Sequence, residues 1–183
     1  MNAIIDLMEK VILVDEADNV VGEMEKMEAH RKGVLHRAFS VFVLDSTNRL
    51  LLQRRALGKY HSPGLWTNTC CSHPRAGESV LQAAHRRLYE EMGFDCPLDS
   101  VFSFIYRAKF DNGLTEHELD HVLIGFSDEI PQLNFEEVHE YKSMSLTEVA
   151  ADIRANPEEY TVWFRIAFDK VVEYLKAMKA SND

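Results

Sequence analysis

No apolar run in this sequence approaches the roughly 18–20 residues that a helix needs to cross a bilayer. Nor does a basic stretch lead into a long apolar one at its start. A membrane span and a secretory signal are therefore not expected, and Ser181-Asn182-Asp183 does not read as a peroxisomal address. Cysteine is scarce, with three residues of which two are adjacent (Cys70 and Cys71) and one is remote (Cys96). That is a poor disulfide framework, and it suits a reducing, cytoplasmic location. Eight glycines and five prolines, neither periodic nor clustered, exclude a collagen-like chain and mark no linker. Repeats and low-complexity tracts are also lacking. Positive charge is in deficit, with 20 Lys and Arg against 30 Asp and Glu, for a net charge of −10. This disfavours nucleic acid and membrane surfaces as partners. An anionic substrate would need cations gathered locally, or a metal to supply the charge.

What is present is ordinary for a folded protein. The 183 residues are 46% hydrophobic, enough for one domain over 1–183 with a full core and short of two. Val11 to Val14, followed by Asp15-Glu16-Ala17-Asp18-Asn19, predicts a strand and its turn. Ala38 to Leu44 and Leu50 to Gln53 flank Asp45-Ser46-Thr47-Asn48, a hairpin signal. Residues 56–65, with Gly58, Pro63 and Gly64, predict a loop. Ser79 to Met92 predicts a helix, with Gln82 at capping-box spacing from Ser79 and Gly93 at the stop. Its apolar stripe is Leu81, Ala84, Leu88 and Met92. Val101 to Tyr106 and Leu119 to Phe126 predict strands around a turn at Asp111-Asn112-Gly113. Leu146 to Ala180 predicts helix broken at Asn156-Pro157, with Trp163, Ile166, Phe168, Val171, Val172, Leu175 and Met178 facing the core. Strands interleaved with helices of unequal length predict an α/β (α+β) domain, a mixed sheet covered by helices.

The chemistry concentrates between Trp66 and Phe94. A helix that holds carboxylates beside a loop can set a divalent cation against a diphosphate, because the metal neutralises what the carboxylates would repel. From Ser72 to Phe94 the segment resembles the Nudix box, with Glu78, Arg86, Leu88, Glu90, Glu91, Gly93 and Phe94 at their positions. It departs twice. Ser72 stands where the first glycine belongs, and Arg87 stands where hydrolytic members carry a metal-binding glutamate. A cation at that point weakens a metal site and favours direct contact with phosphate oxygen.

Upstream, Trp66-Thr67-Asn68-Thr69-Cys70-Cys71-Ser72-His73-Pro74 resembles the active-site signature of the type 1 isopentenyl-diphosphate isomerases, a non-hydrolytic branch of the Nudix fold. The resemblance continues in Lys26 to His30, His36 to Ser40, Arg54 to Lys59, Tyr106 to Ala108 and Glu116 to Leu119, in the family's order. It implies a Nudix-type fold and a 1,3-allylic proton shift that interconverts isopentenyl and dimethylallyl diphosphate. The site then needs a positioned acid, a base, exclusion of water and an electron-rich wall.

Cys71 and His73 are two residues apart, as are Glu116 and Glu118, so each pair points one way if its segment is extended. The resemblance implies that His30, His36, His73, Glu116 and Glu118 hold a metal. Three nitrogen ligands suit Mn²⁺ or Zn²⁺ better than Mg²⁺. It implies a second ion, Mg²⁺, where Glu91 meets the diphosphate of a small-molecule substrate. It further assigns Cys71 and Glu118 as the acid–base pair, Tyr106 as hydrogen-bonded near Glu118, and Trp163 as the wall facing positive charge. Lys26, Arg55, Lys59 and Arg87 are the implied diphosphate cations. A monomer or weak homodimer is expected. His61, His85, His117, His121 and His139 are expected to be structural, Cys70 and Cys96 inert core residues, and the acidic run Asn134 to Glu140 a solvated face. The alternatives are a Nudix hydrolase of nucleoside diphosphate derivatives, opposed by Arg87 and the Cys71/His73 signature, and a non-catalytic nucleotide or RNA sensor. The sensor leaves the His/Glu/Cys set without a purpose.

Overall fold

The computed structural model describes residues 9–181. Among them nine strands form one mixed sheet, and helices cover both faces. The central strand is β3 (His36–Leu44), buried along nearly its whole length. It runs parallel to β8 (Thr115–Phe126), in register from His36 beside Glu118 to Leu44 beside Phe126. On its other side β6 (Cys70–Ser72) is antiparallel, with Ser40 beside Cys71.

Alternation along these strands divides the interior in two. Phe42, Leu44, Val122 and Ile124 face the C-terminal helices α3 (Leu146–Ala155) and α4 (Val162–Ser181), where Phe164, Phe168 and Val171 close the core. Phe39, Val41, Val43 and Leu123 face α2 (Val80–Met92), packing on Ala83, Ala84, Leu88 and Met92. On the first of these faces the strands change character along their length. β8 carries Glu116, Glu118 and Asp120 before Val122 and Ile124, and β3 carries His36 and Ser40 before Phe42 and Leu44. One end of the sandwich is thus oily core and the other, equally buried, is polar. Buried polar groups are costly without partners, so that end is where function is to be sought.

The expected hairpin pairs only at its mouth, Leu44 with Leu50. Beyond it β4 (Arg49–Arg55) leaves β3 to pair with β9 (Val138–Ser145) and β5 (Trp66–Thr67). β1 (Lys10–Val14) pairs with β2 (Val20–Glu25), which leads into the short helix α1 (Lys26–Lys32). β7 (Leu98–Lys109) and β8 form the long hairpin around the Asp111-Asn112-Gly113 turn. The expected capping box is formed, Ser79 accepting from the Gln82 N–H and Gln82 from the Ser79 N–H. Gly93 ends α2 at φ +73°, and a Cβ there would lie 2.4 Å from the Gln132 carbonyl oxygen. Only glycine lets that segment dock, and it does so through Gln132 N–H to Met92 and Asn134 N–H to Glu91.

Three apolar expectations are corrected. Leu81, Ile166 and Met178 are exposed, and Ala83, Phe164 and Ala167 take the core positions instead. The chain's break at Pro157 is a 3₁₀ turn, Pro157–Glu159. No helix among the described residues is long and apolar enough to cross a membrane.

Candidate active site

The polar end of the sandwich opens into a cleft. Every sequence-predicted site residue but two lines it: Lys26, Arg55, Lys59, Cys71, His73, Arg87, Glu91, Tyr106, Glu116, Glu118 and Trp163. The two others, His30 and His36, lie behind the wall with no exposure.

His30, His36, His73, Glu116 and Glu118 bring one ligand atom each within 4.8 Å of all the others. The imidazoles come prepared. The Glu25 carboxylate caps α1 by accepting from the Met27 and Glu28 N–H groups at 2.8 Å each, which fixes the turn that carries His30. His30 Nδ1 is 2.6 Å from the Lys26 carbonyl and His36 Nδ1 is 2.8 Å from the Val34 carbonyl. A carbonyl only accepts, so both Nδ1 atoms carry a hydrogen and both Nε2 atoms point inward. Those Nε2 atoms and Glu116 Oε2 are buried without a hydrogen bond, although His30 Nε2 and Glu116 Oε2 are only 3.2 Å apart. Converging ring nitrogens and carboxylate oxygens can hold a divalent cation.

The two carboxylates behave oppositely. Burial, then the charge of Glu118, pushes Glu116 up. Burial also pushes Glu118 up, but the facing imidazoles of His36 and His73 overcome it and hold the group well below the usual carboxylate range. His73 Nε2 lies 2.8 Å from Glu118 Oε1, yet burial outweighs that contact and draws the imidazole down to about 4. Tyr106 donates to Glu118 Oε2 at 2.6 Å. Burial and the neighbouring carboxylates drive its phenol well up, so it remains a donor. Beside them Ser40 donates to Asp120 at 2.8 Å.

The adjacent cysteines divide between the faces of the sheet. Cys70 is fully buried under α2, while Cys71 is half-buried against the cleft. Burial pushes the Cys71 thiol up to about 12, with the Arg55 charge offsetting only part of it. Cys70 and Cys96 are buried apolar-like residues, as expected. Trp163 is 4% exposed, and the Arg55 guanidinium carbon stands 5.2 Å from its ring. The indole face is thus already holding a cation.

The remaining cations are held by carboxylates. Arg87 donates to Glu91 at 2.6 Å, to Glu90 at 2.9 Å and to Glu137 at 3.0 Å, and Lys59 makes a very short contact with Glu137. Lys26 pairs with Glu9 at 3.0 Å. Glu91 also accepts from Gln53 at 2.7 Å.

Two expectations fail here. Glu137, read as part of a solvated acidic face, is drawn into the cleft because the Gln132–Asn134 segment docks on the end of α2. His61, read as structural, is buried in the cleft with Nε2 3.1 Å from Glu116 Oε1. Burial and the nearby Arg55 charge pull its pKa down to about 2. Neither residue shows a periodicity to mark it. The only signal was company, since His61 lies two residues from Lys59 and Glu137 sits in a run of acids.

The NUDIX domain pattern matches residues 34–164. The isopentenyl-diphosphate Delta-isomerase of Pectobacterium atrosepticum is 52% identical over 94% of this chain and 97% of its own. The chain belongs to the isopentenyl-diphosphate Delta-isomerase family. A second member, isopentenyl-diphosphate Delta-isomerase 2 of Aromatoleum aromaticum, is 57% identical over 90% of this chain and 87% of its own. Among solved structures, one from Deinococcus radiodurans superposes with a TM-score of 0.68 at 23% identity, covering 80% of this chain and 90% of that one. A MutT protein from Methanosarcina mazei follows at 0.63 and 17% identity, covering 78% and 96%. At that distance the likeness is one of fold, and the fold is the Nudix one that this isomerase family shares.

The two cations of the Nudix-box helix are placed differently. Arg86 is turned to Glu78, at 2.6 and 2.8 Å, and so braces the loop before the helix. Arg87 lines the cleft.

Proposed function

We propose that this enzyme interconverts isopentenyl diphosphate and dimethylallyl diphosphate by a 1,3-allylic proton shift, supplying both units to isoprenoid biosynthesis. The observation that carries the reading is the meeting of three groups in one cleft: the Cys71 thiol, the Tyr106–Glu118 pair and a wall of four cations. Cys71 and Glu118 are the acid–base pair, one adding a proton to the double bond and the other removing one from the neighbouring carbon. Tyr106 orients the Glu118 carboxyl. Trp163 faces the positive charge that develops on carbon, offering π density and no nucleophile to trap it. Lys26, Arg55, Lys59 and Arg87 bind the diphosphate, and the deep burial of the reacting end excludes water.

His30, His36, His73, Glu116 and Glu118 would hold a divalent ion, and their nitrogen-rich set suits Mn²⁺ or Zn²⁺ over Mg²⁺. Its positive charge would let two buried carboxylates stay ionised side by side and tune the acidity of Glu118. Glu91 would hold a second ion, Mg²⁺, together with the substrate's diphosphate. A free Cys71 thiol needs a reducing compartment, which fits a cytoplasmic enzyme. The hydrolase alternative is disfavoured, because Arg87 removes a carboxylate that such chemistry relies on.

The test is isopentenyl diphosphate with Mg²⁺ and Mn²⁺ in D₂O, followed by NMR. Deuterium in a methyl group of dimethylallyl diphosphate, without phosphate release, is the expected result. Release of phosphate or pyrophosphate without rearrangement would refute it.

A further inference from the structure

We infer that His61 is a positioning residue of the His/Glu cluster: it holds one oxygen of Glu116 so that the other faces His30. The inference rests on the metal-centre reading above and deepens it. His61 belongs to the loop between β4 and β5, where a histidine is ordinarily solvated, yet it is 7% exposed. Its Nε2 lies 3.1 Å from Glu116 Oε1, while Glu116 Oε2 lies 3.2 Å from His30 Nε2.

The proton positions follow from the partners. An ionised Glu116 only accepts, so His61 Nε2 is the atom that would donate to it. His61 Nδ1 faces the Ser62 hydroxyl at 3.5 Å, which is able to donate. His30 has spent its Nδ1 hydrogen on the Lys26 carbonyl and turns Nε2 to Glu116 Oε2. Glu116 therefore has His61 at Oε1, and its Oε2, buried without a hydrogen bond, faces His30. With a divalent ion bound, Oε2 would be the ligand atom while His61 keeps Oε1. His61 itself is outside the five-residue cluster.

The ring is held against rotation. Phe110 stacks on it at 5.4 Å and 17°, Trp163 meets it edge-on at 5.6 Å, and its main-chain oxygen accepts from Arg55 at 3.2 Å. One loop residue thus joins the metal carboxylate, the indole wall and a diphosphate cation. Partners of this kind commonly govern metal affinity by 10–100-fold.

The experiment uses the full chain and Mn²⁺ alone, with affinity read by EPR titration in the absence of substrate. His61→Phe keeps the stacked ring volume and loses the donor, and His61→Gln restores a donor. Melting temperature by circular dichroism confirms that each folds. The expected result is a loss of Mn²⁺ affinity of about 10–100-fold in His61→Phe, recovered in large part by His61→Gln. In turnover kcat should fall more than KM rises, since the diphosphate cations are untouched. Wild-type affinity in His61→Phe, or no recovery in His61→Gln, overturns the role assigned to His61. Tight Mn²⁺ binding by a wild-type protein that does not isomerise would refute the isomerase reading and leave His61's role intact. A wild-type chain that binds no Mn²⁺ would overturn both.

Discussion

Arg87 and Glu91 stand one turn apart on α2 and meet at 2.6 Å, guanidinium to carboxylate, with Glu137 on the same nitrogen at 3.0 Å. Each partner is mostly buried, so the contact is more than a surface pair. The arrangement keeps a cation and a would-be Mg²⁺ ligand side by side. In the proposed reaction a diphosphate reaching this wall would exchange carboxylate partners for phosphate oxygens.

Arg87→Ala should accordingly raise the KM for isopentenyl diphosphate by about 10–100-fold, the worth of a lost charge-assisted hydrogen bond. It should also destabilise the fold, because Glu91 then loses the guanidinium beside it and Glu137 is left with Lys59. Arg87→Lys should recover part of the KM, since an ammonium cannot serve several oxygens in a fixed fork. Steady-state kinetics and thermal melting check the pair of effects. An unchanged KM in Arg87→Ala would remove Arg87 from the substrate site.

Tyr106→Phe deletes the 2.6 Å hydrogen bond to Glu118 and little volume. The expected outcome is a fall in kcat of about 10–100-fold at nearly constant KM, because the diphosphate end is untouched. A KM change without a kcat change would show that the phenol serves binding and not the carboxyl.

The two adjacent cysteines provide an internal control. Cys71→Ala should abolish deuterium incorporation from D₂O, whereas Cys70→Ala should keep it and lower stability by about 1 kcal/mol through a small cavity. Both are read in one NMR assay with a parallel melt. Activity in Cys71→Ala and loss in Cys70→Ala would mean that β6 presents the other sulfur to the cleft.

The parts of this site that follow a period were legible in the sequence. Cys71 with His73, and Glu116 with Glu118, sit at i and i+2 on β6 and its continuation and on β8, and the strands turn each pair to one side as expected. The capping box and Gly93 fixed the limits of α2 for similar local reasons. What was not legible depends on tertiary placement. β9 does not alternate, since Val138 alone along it is fully buried, so neither the strand nor the Glu137 segment leading into it had a pattern to read. His61 enters the cleft on a loop whose course is set by Phe110 and Trp163, far away in the chain. Leu81 and Ile166 misled because the true stripes include Ala83 and Ala167, small residues with a weak apolar signal. Glu91 interrupts the α2 stripe outright, a carboxylate on a buried face, which is how a local rule fails at a functional position.

Glu137 predicts a pH dependence whose sign can be fixed. Burial acts to raise its pKa, but Arg87 and Lys59 more than reverse this and draw it from an ordinary 4.5 down to about 2. A carboxylate depressed on folding stabilises the native state above its unfolded pKa. The contribution, about 2–3 kcal/mol for a side chain that remains mostly buried, is therefore complete at pH 6. It is lost as pH falls from about 4.5 towards 2, where the folded state must also take up the proton. Glu137→Gln lacks the titrating group, so its stability deficit relative to wild type should be largest at pH 6 and should shrink on going to pH 3. Urea unfolding of both proteins at the two pH values measures it. A deficit that is the same at both, or that grows in acid, would mean that Lys59 and Arg87 do not hold Glu137 ionised in the folded enzyme, and that the cations of the cleft are free to meet the diphosphate without displacing it.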